Sequence, residues 1–135
     1  MIEPVPNRRP LVLVADDDED ILTLVAFRLE RAGCEIVKAR TGDEALRIAL
    51  EQVPDLAVLD VMMPGLDGYE VTRELRRTES TNLMPVILLT ARAQEADVAR
   101  GMAAGADDYV RKPFDARDLR ERVKRLLGPR LANSN

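Results

Sequence analysis

The 135-residue chain has no histidine, no tryptophan and one cysteine, Cys34, and aromatics make up 3% of it. Without histidine there is no Ser/His/Asp or Cys/His catalysis and no His-based metal site. Nor can the chain carry phosphate on a histidine of its own. One cysteine excludes an internal disulfide and fits a reducing, cytoplasmic setting. Cys34 reads as a small apolar residue near a strand start. The longest apolar runs, 11–15 and 86–89, fall far short of a membrane span. The leader, 1–9, lacks the apolar stretch of a signal peptide. With so few aromatics, the core must be built from Leu, Val, Ile, Ala and Met.

What remains is ordinary globular material: 46% hydrophobic, 33% charged, net charge -4. The length suits one domain, since two would each bury too little. The negative balance gives no general attraction to nucleic acid. Arg117, Arg120, Arg122, Lys124, Arg125 and Arg130 gather near the C-terminus. Asp115, Asp118 and Glu121 alternate with them, so the stretch reads as a solvated helix face.

Short apolar runs alternate with amphipathic patterns. Segments 11–15, 56–60 and 86–90 read as buried strands, and 35–39 and 108–111 as strands nearer the sheet edges. Ile21, Leu22, Val25, Leu29 and Ala32 form one helical stripe ended by Gly33. Thr41 and Glu44 have capping-box spacing, and the helix they open would bury Ala45, Leu46, Ala49 and Leu50 before Pro54. A third helix spans 67–77 with Val71 and Leu75 inward. A fourth spans 94–104, with Val98 and Met102 as a thin apolar stripe, and Gly105 closes it. Its weak stripe implies a loosely held element. Leu119, Val123, Leu126 and Leu127 mark a fifth. Five strand–helix units imply an α/β chain with a doubly wound parallel sheet and right-handed crossovers.

The chemically informative residues follow strand ends: Asp16, Asp17 and Asp18, then Asp60, Thr90, and Lys112 with Pro113. Ligands bind outside those ends in open α/β sheets. For the set to converge, strands one, three, four and five must be neighbours. Carboxylates of Asp16, Asp17 and Asp60 would then lie within about 5 Å, each pair costing roughly 3 kcal/mol at an effective dielectric near 20. Such repulsion needs a cation or a proton, and hard oxygen ligands suit Mg²⁺ better than Zn²⁺. Lys112 adds an ammonium and Thr90 a hydroxyl, completing the parts that phosphoryl transfer uses. The duller reading, helix capping, holds for Asp18, Glu19 and Asp20. Pro64, Gly65 and Gly68 read as turn residues.

Four motifs stand in order: Leu-Val-Leu-Val-Ala-Asp-Asp-Asp (11–18), Asp-Val-Met-Met-Pro-Gly-Leu-Asp-Gly (60–68), Pro-Val-Ile-Leu-Leu-Thr-Ala (85–91) and Gly-Ala-Asp-Asp-Tyr-Val-Arg-Lys-Pro-Phe (105–114). Over 10–127 the sequence resembles the receiver domain of two-component response regulators. The resemblance implies a flavodoxin-like (βα)₅ fold of strand order 2-1-3-4-5, a domain over 10–128 and a disordered tail over 129–135. It implies phosphorylation of Asp60 by a sensor histidine kinase or phosphotransfer protein. Mg²⁺ would be held by Asp17, Asp60 and the Met62 carbonyl, with Asp16 acting mainly through water. Lys112, Thr90 and the amides of Val61 and Ala91 would contact the phosphoryl group, and the Lys112–Pro113 bond would be cis. Thr90 and Tyr109 would form the switch pair, Tyr109 turning inward on phosphorylation. Met62 and Arg92 occupy positions that tune dephosphorylation, and Ala15 replaces a more usual branched residue.

The Ala-Asp-Asp-Tyr stretch resembles the subfamily that dimerises through the fourth helix, fifth strand and fifth helix, with Asp107, Asp108, Asp118 and Arg122 at ion-pairing positions. Val98 stands where that subfamily usually has a basic residue. The output partner, or a C-terminal effector domain, is not legible. Two other readings compete: an aspartate-nucleophile phosphatase of haloacid-dehalogenase type, and a degenerate receiver serving only to bind. The first needs an aspartate at position 62, which is Met62. The second conflicts with the complete set Asp16, Asp17, Asp60, Thr90 and Lys112.

Overall fold

A computed structural model describes residues 9–91 and 94–128. The sequence readings of 1–8, Arg92 and 129–135 lie outside the described residues. The elements run β1 (Leu11–Ala15), α1 (Glu19–Arg31), β2 (Glu35–Ala39), α2 (Gly42–Gln52), β3 (Leu56–Asp60), α3 (Gly68–Arg77), β4 (Val86–Thr90), α4 (Glu95–Ala104), β5 (Asp108–Arg111) and α5 (Ala116–Leu127). All strand pairings are parallel, in the order β2-β1-β3-β4-β5. This is the expected flavodoxin-like arrangement.

Strand alternation divides the core. Val12, Val14, Leu56, Val58, Ile87 and Leu89 pack with Leu22, Val25 and Leu29 of α1 and Leu119 and Val123 of α5. Leu13, Ala15, Ala57, Leu59, Val86 and Leu88 face the other way, onto α2, α3 and α4. The central strands β3 and β4 are buried on both faces and so read as apolar runs up to their last residues, Asp60 and Thr90. Cys34 belongs to the α1/α5 layer and is fully buried. Burial and the nearby charge of Asp55 push its thiol up to about 11, so it is an apolar filler rather than a nucleophile.

Helix starts are chemically specified. Asp18 accepts hydrogen bonds from the amides of Asp20 and Ile21, as its capping reading requires. Thr41 accepts from the Glu44 amide, but Glu44 reaches the Arg40 amide rather than closing a box on Thr41. The reciprocal box sits at Asp67 and Glu70. Two expectations fail on side-chain direction. In α2, Ile48 is buried and Leu50 is exposed. In α4, Gly101 and Ala104 face the core while Met102 is exposed, because the helix packs through its small residues.

Arg76 ties three segments together. Its guanidinium donates to the carbonyls of Gly105 (2.9 Å) and Met84 (2.7 Å) and to the Asp107 carboxylate (3.0 Å). Asp107 also accepts from the Val86 amide at 2.8 Å, fixing the start of β4.

Gly68 lets α3 begin against the end of β3. A Cβ there would lie 2.6 Å from the Asp60 carbonyl oxygen and 2.9 Å from Val61 Cα, both backbone atoms. Gly68→Ala is therefore expected to destabilise the chain by about 1–3 kcal/mol in urea denaturation. An unchanged midpoint would contradict this contact.

Candidate functional site

The chain reverses its winding at β1: β2 lies on one side and β3 on the other. Such a switch point opens a crevice at the C-terminal ends of the strands. Asp16 and Asp17 follow β1, and Asp60 ends β3, its hydrogen-bonded neighbour. Their carboxylate oxygens lie within 4.8 Å of one another. Asp16 is fully buried and Asp60 is 4% exposed, whereas Asp17 faces solvent.

Lys112, following β5, spans the cluster: its Nζ donates to Asp16 at 2.7 Å and lies 3.3 Å from Asp60. Burial opposes the ammonium, but the hydrogen bond and charges of Asp16 and Asp60 outweigh that and raise its pKa. The Lys112–Pro113 bond is cis. Asp60 is pushed up to about 6, chiefly by burial and then by the Asp16 charge; Lys112 and the Met62 amide pull the other way. With every carboxylate ionised, three negative charges meet one ammonium and leave an excess of two. A hard divalent cation matches that excess and that all-oxygen donor set.

The backbone donor beside Asp60 differs from expectation. The Val61 amide donates to the Leu89 carbonyl at 2.9 Å, continuing the β3–β4 ladder, and is therefore occupied. The next amide, of Met62, lies near enough to favour the ionised Asp60 carboxylate. Met62 itself is half exposed over the crevice, and Ala91 is exposed at the end of β4.

A chain with these features falls into a known group. Its sequence matches the response regulator receiver domain over residues 12–124. The chain belongs to that family. The receiver is 47% identical over 116 residues to the alkaline phosphatase synthesis transcriptional regulatory protein PhoP of Bacillus subtilis, covering 86% of this chain and 48% of the relative. It thus spans about half the length of such curated relatives. A response regulator structure from Chloroflexus aurantiacus superposes with TM-score 0.85 at 35% identity, covering 89% of this chain and 98% of the other. The receiver domain of a Pseudomonas aeruginosa sensor histidine kinase, with a magnesium ion in its active-site cleft, gives 0.83 at 32% identity and 90% and 99% coverage. Receivers are signalling switches, and this one carries the acidic pocket.

Thr90 is fully buried at the end of β4. It shares the strand face of Val86 and Leu88, so it points toward α4 and Tyr109. Its hydroxyl is hydrogen-bonded to that of Tyr109. The Tyr109 ring is already turned inward beneath α4, where a Cβ on Gly101 would meet it at 2.9 Å. The missing Cβ of Gly101 gives the ring its space.

The residues expected at a dimer face are paired within the chain. Arg122 donates to Asp108 at 2.8 and 2.9 Å and to Asp118 at 3.0 Å, and Asp107 pairs with Arg76. Sequence reading missed Tyr69, Arg76 and Gly101. Their roles are set by contacts between elements and leave no local motif.

Asp60 has a folded-state pKa above its ordinary value of 3.8, so its ionisation penalises the native state. Without metal, the associated stability is complete below pH ~4 and lost as pH rises through ~6. Asp60→Asn in chelator is expected to gain about 1–3 kcal/mol at neutral pH and to lose that advantage in acid. Melts showing Asn the less stable at neutral pH would contradict the assignment.

Proposed function

We propose that this receiver accepts a phosphoryl group on Asp60, from the phosphohistidine of a sensor histidine kinase or phosphotransfer protein, in a Mg²⁺-dependent reaction. The carrying observation is the cluster of Asp16, Asp17 and Asp60 within 4.8 Å, bridged by Lys112. An Asp60 carboxylate oxygen attacks phosphorus, the donor's P–N bond breaks and the imidazole leaves with that electron pair. Lys112 neutralises charge on the acceptor and on the incoming phosphoryl oxygens. The Met62 amide orients the carboxylate, and Thr90 and the Ala91 amide supply further donors.

Asp17, Asp60 and the Met62 carbonyl would hold the ion. Asp16 stands behind them, because its two oxygens already accept from Lys112 and from the Asp18 amide. Mg²⁺, when bound, supplies the divalent charge that offsets the local excess. The protein then works as a signalling switch with self-catalysed phosphorylation and dephosphorylation, reading out through α4, β5 and α5 by way of Thr90 and Tyr109. A partner protein or a C-terminal effector domain, as in relatives named as transcriptional regulators, would receive the signal. A cytoplasmic setting fits this role. Among the described residues no helix is long and apolar enough to cross a membrane.

An acyl-phosphate donor with Mg²⁺ should add one phosphoryl mass to the wild type and to Asp18→Asn, but none to Asp60→Asn. An unlabelled wild type would sink the reading. Homodimerisation through α4, β5 and α5 should appear in sedimentation only after labelling, since Asp108, Asp118 and Arg122 already satisfy one another within a chain. A monomer in both states would remove the dimer.

A further inference from the structure

Between the end of β3 and the start of α3 the chain forms a loop of seven residues, 61–67. Its base is closed by the Gly68 amide, which donates to the Val61 carbonyl at 2.9 Å. Val61 and Met63 are buried, and Met62 between them is half exposed. The far side of the loop meets the start of α2. The Gly42 amide, which has no acceptor within its own helix, donates to the Pro64 carbonyl at 3.1 Å. Gly42 also stands against Leu66: an added Cβ would lie 1.7 Å from the Leu66 carbonyl oxygen and 2.5 Å from its carbonyl carbon. Beside it the Asp43 carboxylate lies over Gly65, where an added Cβ would meet Oδ2 at 1.9 Å.

Conformation does not call for a glycine at position 42. Gly65 has φ 76°, a left-handed backbone that favours glycine, whereas Gly42 is the first residue of α2 and has no positive φ. Alanine there would improve the helix propensity. The helix start is specified separately, by Thr41 accepting from the Glu44 amide at 3.1 Å. What excludes a side chain from position 42 is the loop backbone, which cannot swing aside as the end of a flexible side chain would.

We propose that Gly42 is a positioning residue for the metal site: its amide and its bare α-carbon seat the β3–α3 loop on α2 and so fix where Met62 presents its carbonyl. This deepens the phosphoacceptor reading and rests on its assignment of that carbonyl to Mg²⁺. Pro64 and Leu66 stand two and four residues beyond Met62, and Met63 between them is buried in the core beneath α2 and α3. A methyl at position 42 would drive that stretch away by roughly an ångström or more, and the Met62 carbonyl would move with it.

Gly42→Ala tests this, with Thr41→Ala as its companion. Mg²⁺ would be titrated into the unphosphorylated wild type and both variants, following the Met62 amide by NMR, with stability read from urea denaturation in chelator. Gly42→Ala is expected to raise the Mg²⁺ Kd about tenfold or more, the scale on which metal affinity falls when the support of a ligand is lost. Thr41→Ala should lower the urea midpoint through the lost cap and leave the Kd unchanged. At saturating Mg²⁺, acyl-phosphate labelling of Gly42→Ala should reach the wild-type extent, because Asp60 and Lys112 are untouched.

An unchanged Kd in Gly42→Ala would overturn the proposal. So would an equal rise in Thr41→Ala, since any loosening of α2 would then have the same effect. Should Gly42→Ala fail to fold, Gly65→Ala presses on the same contact from the loop side. A rise of about tenfold there supports the proposal, and an unchanged Kd overturns it. A wild type that binds no Mg²⁺ would instead overturn the metal reading itself, and its own titration shows that separately.

Discussion

Three carboxylates gathered at the ends of adjacent strands repel one another, and Lys112 is what makes their gathering tolerable. It reaches across from the end of β5 to Asp16 and Asp60. At about 5 Å each like-charged pair costs roughly 3 kcal/mol, a large share of a small domain's stability. Neither the strand order nor the bend after β5 is incidental to that balance. The sheet must bring β1 and β3 together at its switch point, and the chain must carry an ammonium back over them. One ammonium leaves the cluster underneutralised, and that deficit makes the crevice receptive to a cation.

The sheet also keeps two kinds of chemistry apart. Even-numbered positions of β1 and β3 face α1 and α5 and end at Asp16 and Asp60, whereas Thr90 continues the face that meets α4. Charge is handled on one side and hydroxyl hydrogen bonding on the other. Thr90 stands where the two meet, a buried residue at a strand end next to both.

Much of this was legible in the sequence. Strands β1, β3 and β4 could be read because β1 is apolar throughout and β3 and β4 are apolar up to their last residues, Asp60 and Thr90. The strand order that brings Asp16, Asp17, Asp60 and Lys112 together was implied by the family resemblance rather than by the apolar pattern. What escaped depended on side-chain direction. Met102 looked like a core residue of α4 by its chemistry, but Gly101 and Ala104 hold that helix, and small residues give a faint periodic signal. The Val61 amide looked available until the β3–β4 ladder was seen to extend one residue past the strand. Tyr69 had no polar motif to mark it, since its partners lie 28 and 40 residues away in sequence.

The grip of Arg76 on the Gly105 carbonyl has a mechanical consequence. It fastens the C-terminal end of α4 to α3, and Gly105, with φ 111°, forms a natural pivot there. A ten-residue helix is about 15 Å long, so a tilt of about 10° carries its far end through about 2.5 Å. The helix is then a lever with its fulcrum at the base of the sheet and its greatest travel beside the acidic crevice.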